Sequence, residues 1–257
     1  MPIIGFVNQK GGVGKTTTAV NLAACLAFAG KHVLLIDADA QANATSALSL
    51  DRTGFTTYNV LLDGTPAKEA ARPCIVPNLE VIPSSADLYG AELELLESES
   101  RHDHLRQAIR PLTDEYDFIL IDGPPSLGLL TLNVLAACDS VIIPVQCEYY
   151  ALEGLSMLMQ TIDRVRTGGI NPSLEVLGIV MTMHDARLNI CQQVTDEVQT
   201  HFGDKLFKTY IQRSVRLAEA PSHGKPIILY DFRSLGARNY IALAEEVLHA
   251  AQKTSAR

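Results

Sequence analysis

The chain has 257 residues, of which 47% are hydrophobic and 19% charged, so its length and composition allow one domain to bury a complete core. Its formal net charge of −8 excludes a uniformly basic nucleic-acid-binding protein, and no apolar run approaches the roughly 20 residues that a membrane-spanning helix needs. The five cysteines follow no metal-ligand spacing and include no CxxC pair, so we expect a cytoplasmic protein with a single domain over residues 1–257.

Short apolar segments alternate along the chain with segments of helical periodicity. The apolar segments are rich in β-branched residues and are predicted to be strands at residues 3–7, 32–36, 79–82, 118–121, 140–145 and 174–181. Helices are predicted at residues 16–29, 152–166, 188–202 and 238–251. This alternation predicts an α/β fold with a mostly parallel twisted sheet and helices on both faces. Residues 51–77 are expected to form a surface excursion with a short helix near Tyr58–Leu62.

The first predicted strand runs directly into a glycine-rich segment that precedes the first predicted helix, which is the context of a phosphate-binding P-loop. The segment departs from the pattern GxxxxGK[ST], because Gln9 stands where the first glycine is expected and Lys10 adds a second lysine. Lys15 is expected to neutralise the β- and γ-phosphates of ATP, and the Thr16 hydroxyl to ligate Mg²⁺. The predicted nucleotide-binding residues of the loop are Lys10, Gly11, Gly12, Val13, Gly14, Lys15, Thr16 and Thr17. A glycine-rich turn without a ligand is the alternative.

Carboxylates follow two of the predicted strands. Asp37 and Asp39 come after the second strand, and Asp122 follows the fourth. Ligands of open α/β sheets lie beyond the carboxyl ends of the strands, so all three side chains can face the P-loop. We expect Asp122 to hold Mg²⁺ through water, Asp37 to turn toward the metal, and Asp39 to orient or deprotonate the attacking water. Each carboxylate could instead cap the next helix or pair with a lysine.

The charge is distributed unevenly along the chain. Residues 201–257 carry nine basic and five acidic side chains, whereas residues 1–200 carry 12 basic and 24 acidic side chains. The excess of basic side chains near the end of the chain predicts either a local DNA-facing patch or solvated helix faces, and the sequence alone favours solvated helix faces. Tyr149 and Tyr150, beside Glu148, are either packing residues or part of a dimer interface.

Four motifs together resemble the ParA/Soj family of chromosome- and plasmid-partitioning ATPases, and the resemblance covers nearly the whole chain. They are the P-loop of residues 10–17, DADAQ at residues 37–41, DGPPS at residues 122–126 and PVQCEYYALEG at residues 144–154, and residues 213–225 extend them. The chain departs from the family at Ala40, where Pro is usual. It also carries Gln212 and Ser214 where the family has the Pro and Asn that frame the adenine.

The resemblance implies a mechanism and partners. Lys10 corresponds to the signature lysine that reaches the partner subunit's phosphates, and it would act in catalysis with Lys15 and Asp39. ATP would close a sandwich homodimer that binds double-stranded DNA non-specifically through Arg187 and Arg216. A ParB-type centromere-binding protein would stimulate hydrolysis and release the dimer, which implies a nucleoid-associated protein. From the residues alone, both arginines could instead be salt-bridged surface side chains, which is the usual role of an arginine.

Two alternative functions belong to the same superfamily. A MinD-like division-site ATPase would carry a basic amphipathic helix for the membrane at its C-terminus. Residues 244–257 are weakly basic and poor in bulky apolar side chains, so we expect no membrane partner. An iron-sulfur ATPase or an ATP-dependent amide synthase is the other alternative. The iron-sulfur protein needs bridging cysteines, and neither Cys138 nor Cys147 lies in such a motif.

Overall fold

The computed structural model of the chain describes residues 2–255. Within this range one sheet is formed by seven strands: β1 (Ile3–Phe6), β2 (Val33–Asp37), β3 (Arg72–Pro73), β4 (Leu79–Ile82), β5 (Phe118–Asp122), β6 (Ser140–Gln146) and β7 (Glu175–Thr182). Their order in the sheet is β3-β4-β2-β5-β1-β6-β7. All neighbouring strands are parallel except β3, which pairs antiparallel with β4 at the edge.

The helices of the described residues cover both faces of this sheet. They are α1 (Lys15–Phe28), α2 (Asn43–Ala47), α3 (Thr57–Leu62), α4 (Ala67–Ala70), α5 (Leu88–Leu96), α6 (His104–Ile109), α7 (Leu129–Ala137), α8 (Ala151–Thr167), α9 (Asn189–Phe202), α10 (Val215–Glu219), α11 (Ile227–Tyr230) and α12 (Leu235–Ser255). Short 3₁₀ turns lie at Arg110–Leu112, Gly203–Lys205 and Ala220–His223.

Alternate residues of the central strands belong to two separate hydrophobic cores, one on each face of the sheet. This is expected of a parallel sheet that is covered by helices on both faces. Leu34 and Ile36 of β2 belong to the core under α3 and α5–α9, whereas Val33 and Leu35 belong to the core under α1 and α12. Every residue of β2 and of β5 is buried. The predicted α/β fold with a mostly parallel sheet is therefore confirmed.

The predicted elements differ from the observed ones mainly at their ends. The six predicted strands are all present, with ends that shift by no more than one residue, and the same holds for α1, α8 and α9. The last helix begins at Leu235 and continues to Ser255, beyond both ends of the prediction. The excursion of residues 51–77 contains the expected short helix as α3, and also α4 and β3.

The ends of the chain bear on two of the predictions. Met1, Ala256 and Arg257 lie outside the described residues, so the predicted domain of residues 1–257 and the prediction for residues 244–257 extend beyond them. Over residues 2–255, none of the helices combines the length and the apolar character needed to cross a membrane.

Candidate active site

The candidate site lies where the strand order reverses. Strand β1 is flanked by β5 on one side and by β6 on the other, and the chain leaves β1 directly into the P-loop. Such a switch point opens a crevice beyond the carboxyl ends of the strands, where open α/β sheets bind ligands. The P-loop and the carboxylates that follow β2 and β5 meet at this edge.

Two side-chain hydrogen bonds attach the P-loop to the sheet, one near each end of the loop. Asn8 is buried and donates a hydrogen bond from Nδ2 to the carbonyl of Pro144 at 2.8 Å. The Thr182 hydroxyl donates to the carbonyl of Val13 at 2.7 Å. Gly14 has φ of 89°, in the left-handed region that favours glycine, and it caps the N-terminus of α1. The loop therefore places the N-terminus of the 14-residue helix α1, which is the positive end of its dipole, at the crevice.

Lys15 is buried at the start of α1 and points into the site. Its Nζ donates a hydrogen bond to the carbonyl of Lys10 at 3.2 Å. Burial lowers the pKa of Lys15, and the carboxylates of Asp122 and Asp39 oppose this shift. A buried ammonium that retains free N–H donors gains most from an anionic ligand, because the ligand replaces the water that the ammonium has lost.

Asp37 is fully buried at the end of β2, but the protein itself satisfies its carboxylate. Oδ2 accepts hydrogen bonds from the backbone N–H of Thr45 at 2.8 Å and from its hydroxyl at 2.7 Å, and Oδ1 accepts from the N–H of Asp39 at 3.2 Å. Burial raises the pKa of Asp37 to about 6, and the hydrogen bonds from Thr45 oppose the rise. Thr45 was not identified from the sequence, where nothing distinguishes it from other threonines.

Asp122, at the end of β5, is fully buried and has no such partners. Neither carboxylate oxygen accepts a hydrogen bond from any residue that the structure describes. Burial raises the pKa of Asp122 well above its ordinary value, and the Asp37 carboxylate raises it further. The Thr16 hydroxyl and the Lys15 ammonium lie near enough to oppose the rise, although the hydroxyl does not complete a hydrogen bond.

The donor set around Asp122 fits Mg²⁺. Two unpaired carboxylate oxygens face a threonine hydroxyl at the N-terminus of α1, and oxygen donors of this kind are the ligands that Mg²⁺ prefers. Residues 2–255 contain no cluster of three or more His, Cys, Asp or Glu side chains that would hold a metal by itself. A magnesium ion here would therefore depend on Thr16, on Asp122 and on the phosphates of a nucleotide.

Asp39 lies two residues beyond Asp37, at the mouth of the crevice, and is only 7% exposed. Its Oδ1 accepts a hydrogen bond from the backbone N–H of Gln41 at 3.0 Å, and its carbonyl accepts one from the Ser84 hydroxyl at 2.7 Å. The Gln41 side chain in turn contacts the Tyr89 hydroxyl on α5. The Asp39 backbone is thus fixed, and its second carboxylate oxygen, Oδ2, accepts no hydrogen bond from residues 2–255. Ser84, which fixes it, was not identified from the sequence.

A cavity of 210 Å³ adjoins the P-loop. Gln212 and Ser214 both line it, together with Gly14 and Thr17. The other lining residues are Thr182, Met183, Ile211, Arg213, Leu217, Ala218 and Tyr240. The backbone places Gln212 there, because the segment pairs in parallel with His184. The sequence motifs did not indicate Met183 or Tyr240, which lie far from the P-loop along the chain.

Both arginines that were predicted to bind DNA are in ion pairs with carboxylates. The Arg187 side chain is 88% exposed and binds Asp185 through two nitrogens, at 2.9 Å and 2.7 Å. The Arg216 side chain pairs with Glu219 at 3.0 Å and lies 3.6 Å from Asp231. Both guanidinium groups remain at the surface, and neither belongs to the P-loop site.

Tyr149 and Tyr150 do not contribute to the core. Their exposures are 78% and 66%, and their rings meet edge to face with centroids 5.2 Å apart. They follow Glu148, whose carboxylate forms an ion pair with Lys10. The two tyrosines are therefore available at the surface beside the P-loop.

Comparisons with known proteins agree with this geometry. A family model described as an AAA domain matches residues 1–176. A protein of Myxococcus xanthus named chromosome partitioning protein ParA is 54% identical over 248 residues, which cover 96% of this chain and 87% of that protein. A protein of Treponema pallidum named chromosome-partitioning ATPase Soj is 52% identical over 243 residues, 95% of each chain.

A solved structure extends the likeness to the nucleotide. A cobyrinic acid a,c-diamide synthase from Mycobacterium smegmatis with bound ATP analog and magnesium superimposes with a TM-score of 0.85 at 32% identity, covering 98% of this chain and 96% of that one. The same fold therefore accommodates an ATP analog and magnesium in a relative of known structure.

Proposed function

Because the chain belongs to the ParA/Soj family of partitioning ATPases, we propose that it is an ATP-gated switch that segregates chromosomes or plasmids. In this proposal Mg²⁺ and ATP close a homodimer, the dimer holds double-stranded DNA without base preference, and hydrolysis releases it. A ParB-type centromere-binding protein triggers the hydrolysis, and the protein is associated with the nucleoid. The single observation that carries the proposal is the pair of unsatisfied, fully buried oxygens of Asp122 beside the P-loop.

Each group of the site has a separate task in this proposal. The N–H groups of the P-loop and the Lys15 ammonium would bind the phosphates, and Thr16 and Asp122 would hold the metal, with Asp37 behind them. The bound Mg²⁺ would neutralise charge on the β- and γ-phosphates. Asp39 orients or deprotonates the attacking water with its free oxygen. Lys10 reaches the phosphates of the partner subunit.

The cavity of 210 Å³ is the proposed adenine site. It begins at Gly14 and Thr17, so a base attached to phosphates in the P-loop would enter it. Gln212 and Ser214 would supply the polar groups that meet the edge of the base. Apolar and aromatic lining with a few polar groups is typical of sites that bind a flat ring.

DNA binding rests on Arg187 and Arg216. DNA phosphates would have to replace the carboxylates of Asp185 and Glu219, which is feasible because all four side chains are at least partly exposed, the least being Asp185 at 17%. A dimer doubles the number of arginines that face DNA, so weak contacts become an ATP-gated binding surface. Such contacts depend on salt and not on base sequence.

The proposal is tested by ATP hydrolysis of the full chain. We expect slow turnover with Mg²⁺ and ATP alone, and faster turnover when random-sequence double-stranded DNA and the cognate centromere-binding protein are both added. A rate that does not respond to the two partners together would contradict the proposal. An enzyme related to the diamide synthase would instead respond to a carboxylate substrate and an amino donor, with no effect of DNA.

A further inference from the structure

The first residues of the P-loop are attached to one neighbouring segment, which connects β6 to α8. Asn8 donates from Nδ2 to the carbonyl of Pro144 at 2.8 Å. Gln9 donates from Nε2 to the carbonyl of Gly154 at 3.5 Å. The two acceptors, Pro144 and Gly154, lie on either side of Glu148 in that segment, so the next side chain of the loop, Lys10, lies against the middle of the same segment.

In that position Lys10 forms an ion pair with Glu148. Hydrogen bonds fix the backbone of both residues. The N–H of Lys10 donates to Oδ1 of Asn8 at 3.0 Å. The N–H of Glu148 donates to the carbonyl of Gln146 at 2.8 Å, and its carbonyl accepts from the N–H of Ala151 at 2.9 Å, at the start of α8. The carboxylate is therefore presented at a defined place beside the P-loop, and the ammonium of Lys10 is held within its own subunit.

We infer that Glu148 restrains Lys10 in the nucleotide-free monomer, and that release of this ion pair is a step in ATP-driven dimerisation. This inference rests on the proposed function, in which Lys10 reaches the phosphates of a second copy of the chain. We expect the Lys10 ammonium to leave Glu148 when it reaches a partner's triphosphate, because Glu148 lies in its own subunit and the triphosphate in the other. Glu148 is thus a positioning residue, which acts on the nucleotide only through Lys10.

The exposure of the two side chains determines how strong this restraint is. The Lys10 and Glu148 side chains are 41% and 44% exposed, respectively, and solvated ion pairs of this kind contribute little stability. A triphosphate carries several negative charges and excludes water from the contact, so it competes well with one carboxylate. The ion pair therefore biases the protein toward the monomer without blocking the dimer.

Closing one dimer breaks two such ion pairs, one in each subunit. Removing the carboxylate without changing its size, as in Glu148→Gln, should therefore tighten dimerisation by about two- to thirtyfold, from the range measured for exposed ion pairs counted twice. The measurement is the dimer dissociation constant by analytical ultracentrifugation with Mg²⁺ and a slowly hydrolysed ATP analogue. Glu153→Gln is the matched control, because Glu153 is an exposed carboxylate in the first turn of α8, and it should leave the constant unchanged.

A second pair of variants distinguishes this restraint from a general effect on the loop. In the Lys10→Ala background, Glu148→Gln should change the dimer dissociation constant by less than about twofold, because the partner of the carboxylate is gone. The inference is overturned if Glu148→Gln leaves dimerisation of the otherwise native chain unchanged or weakens it, or if its effect is equally large without Lys10. A native chain that stays monomeric with the ATP analogue would refute the proposed dimer itself, and the inference with it.

Discussion

Asp37 and Asp122 are register partners on the neighbouring parallel strands β2 and β5, so two fully buried carboxylates leave the sheet side by side. Thr45 satisfies the first with two hydrogen bonds, whereas the second has no partner among the described residues. Gly123 follows the second carboxylate, and a Cβ atom there would lie 2.8 Å from the carbonyl of Phe6. The close approach at Gly123 thus holds Asp122 next to β1 and the P-loop. Burial of its carboxylate without hydrogen bonds lowers the stability of the protein, and a bound metal ion would offset this loss.

Asp122→Asn should make the nucleotide-free protein more stable and the enzyme inactive. The substitution removes a fully buried carboxylate that accepts no hydrogen bond from residues 2–255, so the free energy of unfolding should rise by about 1–3 kcal/mol at pH 7.5. Hydrolysis that depends on Mg²⁺ should be lost. Thermal unfolding without nucleotide, together with ATPase assays, measures both effects. Asp114→Asn is the control at an exposed position, and it should change neither. Lower stability of the Asp122 variant would show that the carboxylate has a partner.

The pKa shifts of the two carboxyl groups predict how stability depends on pH. The pKa of Asp37 is raised to about 6 and that of Asp122 well above its ordinary value, so the folded chain binds more protons than the unfolded chain between about pH 4 and pH 6. These groups therefore destabilise the nucleotide-free protein as pH rises through this window. The stabilising effect of Asp122→Asn should shrink as pH falls, because the native carboxyl group becomes neutral. If the stabilising effect of Asp122→Asn grew as pH falls, the pKa of Asp122 would not be raised in the folded protein.

Binding of Mg²⁺ and ATP should release protons. A metal ligates the ionised carboxylate, so at pH 6 the buried carboxyl groups must lose the protons that burial favours. The affinity should therefore rise with pH across this range. Isothermal titration calorimetry in two buffers of different ionisation enthalpy measures the proton count directly. Proton uptake at pH 6, after correction for the nucleotide itself, would exclude Asp122 as a metal ligand.

Lys15 and Asp39 should separate binding from hydrolysis. Lys15→Ala removes a buried ammonium that faces the phosphates, and it should weaken ATP binding by at least about 30-fold. Asp39→Ala should leave ATP binding intact, slow hydrolysis by about 100- to 10,000-fold and trap the dimer. Fluorescent nucleotide titration and single-turnover hydrolysis test the two variants. If both variants lost ATP affinity to the same extent, Lys15 and Asp39 would not have separate roles in binding and hydrolysis.

The carboxylates that pair with the arginines should oppose DNA binding. Arg187→Glu and Arg216→Glu should each weaken DNA retention with no change in ATP affinity, and each Arg→Ala change should lower the slope of log affinity against log salt by about one per subunit. Asp185→Asn should have the opposite effect, because it frees the Arg187 guanidinium, which now holds the pKa of Asp185 well below its usual range. Filter retention of random-sequence DNA over a salt series measures all of these. Unchanged retention in both arginine variants would refute the DNA site.

Much of this arrangement could be predicted from the sequence because it depends on local patterns. The β-branched runs defined the strands, and their common polarity brought the P-loop and the carboxylates of Asp37 and Asp122 to one edge. Helix α7 was missed because it is apolar on nearly every side, so it has no periodicity that marks a helix. Strand β3, with two residues, is too short to leave any pattern.

The rest depended on contacts between segments that are distant along the chain. The hydrogen bonds from Thr45 to Asp37 and from Ser84 to Asp39 depend on how loops fold back over the sheet. The ion pair of Lys10 with Glu148 joins residues 138 positions apart. No spacing rule connects such partners, because their proximity is decided by the tertiary fold.

Control of DNA attachment by ATP can be measured as retention of the native chain on random-sequence double-stranded DNA. The three conditions are Mg²⁺ with ATP, Mg²⁺ with ADP, and no nucleotide. We expect strong retention only with Mg²⁺ and ATP, and we expect this retention to be lost when the salt concentration is raised. Equal retention in all three conditions, or none in any of them, would contradict this expectation.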